Sequence, residues 1–203
     1  MNNARETSQR QTPPGGHEAA RVPLTASRPE LLVDGNDDQL RGLIHDLLAF
    51  GGRLRDIRDA LGGLIGLSGP AYTVMIAIAH LANQGTDAPA DVGVTSVARH
   101  LNVSQPFVTA EVGKLAAAGL VDKAPSRADR RSVTLTVTDR AQALLASLAP
   151  DQREINDALF DSLGVDDFHR LSAMIGELVR GADHALVLAA ERAQARQIAG
   201  GAA

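Results

Sequence analysis

A mainly α fold carrying one small antiparallel β-hairpin is predicted by three features of the sequence. Apolar residues recur at spacings of three and four along most of the 203 residues, the period changes to two between Leu120 and Val137, and aromatic residues are scarce, with no Trp, one Tyr and four Phe. A core built from Leu, Val, Ile and Ala favours helices packed on helices. The change of period marks the hairpin.

The elements around that hairpin form a recognisable unit. A helix is predicted from about Thr95, with Thr as N-cap, to Leu101, and Asn102-Val103 then turn the chain. Ser104 caps the next helix, Pro106 sits in its first turn where a missing N–H costs little, and Val108, Val112 and Leu115 fall on one side. Gly119 ends it. Leu120-Val121 and Val133 to Val137 follow as strands joined by the cationic loop Pro125 to Arg131. This is a winged helix-turn-helix, with its reading unit at about 71–138. Turning Val108, Val112 and Leu115 inward leaves Ser104, Gln105, Pro106, Thr109, Ala110 and Lys114 on a surface narrow enough to enter the DNA major groove. Arg127, Arg130 and Arg131 could enter or flank the minor groove, and Asp129 could pair with Arg131 to stiffen the loop.

Gly119-Leu120-Val121, Asp129-Arg130-Arg131, Val133-Thr134-Leu135-Thr136 and the helix opening at Thr138-Asp139-Arg140 resemble the recognition-helix end, wing and exit of the MarR (multiple antibiotic resistance regulator) family. Asn102-Val103-Ser104-Gln105-Pro106 also matches its turn. The resemblance covers roughly Asp37 to Ala199. It implies a homodimeric regulator, in most relatives a repressor on a palindromic operator, released by a small anionic and often phenolic effector. The chain departs from the family pattern at Ala110, where many relatives carry Arg, at Gly113, where they carry a charge, and at the bulkier Phe107. These departures shift binding from direct base readout toward Lys114, the wing and DNA shape.

Residues 1–35, rich in Pro, Gly, Thr, Ser, Gln and charge, read as a flexible tail, with 200–203 a second and 36–199 the folded domain. A first helix at about 37–61 carries Leu40, Leu43, Leu47, Phe50, Leu54, Ile57 and Leu61 as a seam, interrupted by Gly51-Gly52, which mark a bend or a close approach. A second, Ala71 to Ala82, is apolar on most sides and belongs to the core. After the wing, about 141–198 is helical, one helix running to about Leu163 and another from Val165, with a kink or division near Pro150, and the last helix carries Leu171, Ile175, Leu178 and Ala182 at helical spacing. The seams of the first and last helices are too long to be covered within one reading unit. Packing Leu40, Leu43, Leu47 and Leu54 with Leu171, Ile175, Leu178 and Ala182 across a two-fold axis would cover them.

Charge supports the same reading. The formal net charge is −4, yet seven cations and four carboxylates between Thr95 and Arg140 give that segment +3 and leave −7 elsewhere. Both lysines of the chain lie in it. A basic face on an acidic body suits a specific DNA binder. The absence of Cys excludes disulfides, thiolate zinc sites and a cysteine redox sensor. No apolar run reaches membrane-span length and no signal core opens the chain, so no membrane partner and a cytoplasmic location are expected.

The six His residues show no metal-ligand spacing, and neither a phosphate-binding Gly loop nor a nucleophile motif is present, so no enzyme activity, cofactor or metal is expected. Asp166-Asp167 with His169 reads as a helix start. A pure protein–protein interaction module is the rival, but it has no need of three arginines beside a polar reading face. Arg53, Arg55, Tyr72 and His80 are the candidate polar groups for an effector, with surface or core duty the competing role for each.

Overall fold

The structure is a computed structural model and describes residues 22–84, 91–126 and 133–200. The chain divides into two compact units, Met1–Arg58 and Asp59–Ala203. Six helices and one hairpin are described: α1 Asp38–Leu64, α2 Gly69–Ala82, α3 Val94–Leu101, α4 Gln105–Ala117, β1 Val121–Pro125, β2 Val133–Val137, α5 Asp139–Leu159 and α6 Val165–Gly200. The fold class is the mainly α winged helix-turn-helix expected.

In the first unit, the segment expected to be a featureless tail carries structure from Val22 onward. A 3-10 helix at Pro29–Leu31 leads to a tight turn in which Val33 and Asn36 exchange two backbone hydrogen bonds, of 2.9 and 3.0 Å. The turn residues Asp34 and Gly35 both have positive φ, 52° and 75°, the geometry that an Asp-Gly pair adopts readily. Asp37 then anchors the arm: its Oδ2 accepts from the Thr25 N–H (2.6 Å) and hydroxyl (2.5 Å), while its Oδ1 accepts from Arg41. A further Arg41 bond, 2.9 Å, goes to the Pro23 carbonyl. Along α1, Leu43, Ile44, Leu47, Leu48 and Phe50 remain exposed.

The second unit holds the core, in which Tyr72, Met75 and Ile78 of α2, Val97 of α3, Val108, Val112 and Leu115 of α4, Leu135 of β2 and Leu148 of α5 are buried. Three of its turns use one device. Gly66, Asn102 and Gly119 have left-handed φ of 73°, 52° and 69°, and the residue after each returns its N–H to a carbonyl five positions back. The two strands pair antiparallel from Val121↔Val137 to Pro125↔Val133, and Val92 adds an edge by accepting from the Leu135 N–H at 2.7 Å.

Several boundaries differ from those predicted. Helix α2 starts at Gly69 because Ser68 is its cap, accepting from the Ala71 N–H, and Pro70 is tolerated in the first turn. Gly93, not Thr95, caps α3, since the Ser96 hydroxyl accepts its N–H at 3.0 Å. Pro150 does not divide α5, which is continuous from Asp139 to Leu159. Leu148, two residues before it, is fully buried, so the helix is held across the one missing N–H. The break between α5 and α6 falls at residues 160–164, close to the boundary expected near Leu163 and Val165, and Phe160 meets Phe168 edge to face at 6.2 Å. Close approach occurs at Gly62 and Gly69 rather than Gly51: a Cβ on Gly62 would lie 3.0 Å from the Leu67 carbonyl, whereas Gly51 has open space around it within the described residues. Helix α6 buries no residue along its 36 positions. Among the described residues no single helix is long and apolar enough to cross a membrane.

Candidate nucleic-acid interface

The recognition surface rests on how α4 is begun and held. Ser104 accepts from the Phe107 N–H at 3.3 Å, Pro106 lies in the first turn, and Val108, Val112 and Leu115 are each no more than 1% exposed. The opposite side carries Ser104, Gln105, Pro106, Thr109, Ala110, Gly113 and Lys114, all exposed. All six helix residues assigned to DNA from the sequence are therefore on one open face. The left-handed Asn102 turns α3 into this helix, a conformation Asn tolerates better than most residues.

One residue of this helix was missed. Glu111 is 5% exposed, its Oε1 pairs with Lys114 Nζ at 2.7 Å, and its Oε2 is buried with no hydrogen-bond partner among the described residues. Its signal was positional: it lies three residues after Val108 and four before Leu115, within the inward stripe. Lys114 is thus an exposed cation held by a buried carboxylate.

The wing is described only at its base. Arg127, Asp129, Arg130 and Arg131 lie outside the described residues, as does the supposed Asp129–Arg131 pair. Strand β1 reaches Pro125, further than expected, and carries Lys123 exposed. The exit is tied to α4: the Thr138 hydroxyl donates to the Gly119 carbonyl at 2.9 Å and accepts from the Ala141 N–H, and Arg140 donates to the Ala118 carbonyl at 3.0 Å. Arg140 is accordingly a helix-end clamp.

The effector candidates separate. Arg53 and Arg55 are exposed residues of the first unit, Arg53 bonding its own helix at the Ala49 carbonyl. Tyr72 belongs to the core of the second unit, 1% exposed. His80 is exposed, with Gln84 at 2.7 Å and the His100 ring centroid 5.4 Å away. A cavity of about 650 Å³ in the first unit is lined by residues 22–24, 34–38 and Arg41, and by none of these candidates. Asp166 and Asp167 occupy the first turn of α6, and no cluster of three His or carboxylate ligands occurs among the described residues.

A capped reading helix, a left-handed turn before it and a hairpin after it define a winged helix-turn-helix protein. The sequence profile of the MarR family matches residues 65–132, the stretch that holds the helix-turn-helix and the first strand of the hairpin. No curated protein matches it by sequence. Solved structures share the fold at low identity. A MarR protein from Peptoclostridium difficile is 16% identical, with a TM-score of 0.58 over 75% of this chain and 93% of its own. The M. tuberculosis regulator MOSR, solved with DNA, is 18% identical with a TM-score of 0.53, over 70% of this chain and 96% of its own. CouR from Rhodococcus jostii, solved with p-coumaroyl-CoA, is 17% identical with a TM-score of 0.56, over 70% and 92%.

Proposed function

We propose that this protein is a transcriptional regulator that binds duplex DNA sequence-specifically, as a homodimer on a palindromic operator, and represses until a small anionic or phenolic effector releases it. The observation that carries this reading is the exposed polar face of α4, set rigidly on buried Val108, Val112 and Leu115. Gln105 and Thr109 read base edges, Lys114 meets phosphate, and Arg127, Arg130 and Arg131 meet the minor groove. The dimer is supported by α6, with no buried residue of its own, and by the exposed leucines of α1. The effector class is what the family resemblance implies, and CouR, a fold relative, is bound to p-coumaroyl-CoA in its solved structure.

Selection of bound duplexes from a random pool tests it. A palindromic consensus should emerge, with affinity falling roughly 10³-fold between 50 and 200 mM salt for about six phosphate contacts. Gln105→Ala or Thr109→Ala should change which bases are tolerated, by about 1–3 kcal/mol at a contacted pair, whereas Arg131→Ala should weaken every site. No enrichment, or a flat salt response, would sink the reading.

A further inference from the structure

One carboxylate outside the reading face ties down the base of the wing. Asp91 stands three residues before α3, and its two oxygens accept from hydroxyls on the two sides of the hairpin. Oδ2 takes the Ser126 hydroxyl, immediately after β1, and Oδ1 takes the Thr134 hydroxyl within β2. Thr134 pairs with Ala124 across the sheet, so the carboxylate spans the last rungs before the wing loop. Ser126 is 5% exposed, and a hydroxyl donating to an ionised acceptor makes one of the stronger hydrogen bonds in a protein.

The next two residues extend the link. Val92 is buried and pairs its carbonyl with the Leu135 N–H of β2. Gly93 caps α3, and the Ser96 hydroxyl closes that cap. Three consecutive residues therefore join both sides of the hairpin to the first helix of the helix-turn-helix pair.

We propose that Asp91 is a positioning residue that fixes the wing relative to α4, and thereby sets how strongly the wing reads the flank of a bound site. This rests on the DNA-binding reading above. A wing arginine senses minor-groove width through where it is held, so a loosened hairpin base erodes preference for a narrow A·T-rich flank while leaving base choice by α4 intact. A loosened hairpin base must also be ordered on docking, at an entropic cost that the bracketed base has already met.

The full chain is assayed on duplexes that share one selected core and differ only in A·T-rich or G·C-rich flanks. The wild type should prefer the A·T-rich flank. Asp91→Ala should reduce that preference roughly fivefold or more, on the scale of a lost charge-assisted hydrogen bond, while penalties for core-base changes persist. Asp91→Asn, which keeps one acceptor oxygen, should fall between, and amide exchange at Leu135 should speed up in the same order. A wild type indifferent to flanks, an intact preference in Asp91→Ala, or equal erosion of core and flank penalties would each overturn the proposal. Should Asp91→Ala fail to fold, Thr134→Val removes one hydroxyl at constant shape and is read the same way. Should the wild type bind no duplex, the DNA-binding reading fails separately. Leu135 exchange then decides the bracket alone: faster exchange in Asp91→Asn sustains it and unchanged exchange overturns it.

Discussion

Lys114 Nζ lies 2.7 Å from Glu111 Oε1 on the recognition helix, pairing a cation whose side chain is 65% exposed with a carboxylate that is 7% exposed. The pair is solvated on one side only, so the Lys114 charge faces solvent, where the proposed DNA contact needs it, while Glu111 depends on it. Lys114→Ala should cost about 1 kcal/mol of stability, because it strands a buried carboxylate whose other oxygen already lacks a partner, the exposed half of the pair being screened. It should also weaken binding to every sequence and lower the salt slope by about one phosphate contact. Adding Glu111→Gln should restore stability but not DNA affinity, a non-additivity that denaturant titration and a salt series measure separately. Loss of affinity confined to particular base pairs would reassign Lys114 to base reading.

Two glycines of α1 should respond oppositely to alanine. At Gly62 the added methyl would meet the Leu67 carbonyl at 3.0 Å and Tyr72 Cβ at 3.1 Å, so Gly62→Ala should lower stability by about 1–3 kcal/mol. Gly51 has no described neighbour within 4 Å, and Gly51→Ala should raise stability by up to about 1 kcal/mol through helix propensity. Urea midpoints compare the two. A destabilising Gly51→Ala would place another surface against that position.

Acid should release the N-terminal arm later than ordinary carboxylate titration suggests. The Arg41 guanidinium above all, then the Thr25 hydroxyl and N–H, hold the Asp37 carboxyl far below its usual range, against the opposing effect of burial. A folded value below the unfolded one, about 3.9, means a contribution fully present above that value. It is lost progressively as pH falls from there toward the folded value. Exchange protection of the Thr25 N–H should therefore be flat from neutral pH to about 5 and decline only in stronger acid. Asp37→Asn should abolish that dependence. An Asp37 carboxyl that titrates near 3.9 in the native protein would contradict the clamp.

The parts legible in the sequence were those written in local chemistry. Ser104 with Pro106, Gly119, and Thr138 each announced an element boundary, and Val108, Val112 and Leu115 fixed which side of α4 faces in. The Asp34-Gly35 turn was equally legible by its dipeptide, but the polar, Pro-rich composition around it masked the signal. Glu111 was harder, since a carboxylate in an apolar stripe reads as surface until its lysine is seen to hold it. The Asp91 bracket could not be read at all, because Ser126 and Thr134 stand 35 and 43 residues away. Only folding brings them to one carboxylate. The expected division at Pro150 failed for the opposite reason: a strong local rule was overridden where Leu148 is buried.

The proposed dimer is the point on which the proposed regulation turns. Leu43 and Leu47 on α1 and Leu171, Ile175 and Leu178 on α6 are exposed, and α6 fully buries none of its residues within the chain. Leaving so many large apolar side chains in water is unfavourable by about 1.5–3 kcal/mol for each that could be buried, so a second copy has much to gain by covering them. Two recognition helices must then stand about 34–36 Å apart to meet successive major grooves of a palindrome. A charge placed at Leu47 or Leu178 would be buried unpaired, at several kcal/mol, enough to separate the subunits. Leu47→Asp and Leu178→Asp should sediment as monomers and lose operator binding, while the weak, salt-sensitive affinity for any duplex survives in the untouched reading unit. Exposed control positions such as Arg53→Asp should leave the sedimentation coefficient unchanged. A wild type that sediments as a monomer at micromolar concentration and still binds a palindrome tightly would show that α1 and α6 are not the interface, and release by an effector would then need another route.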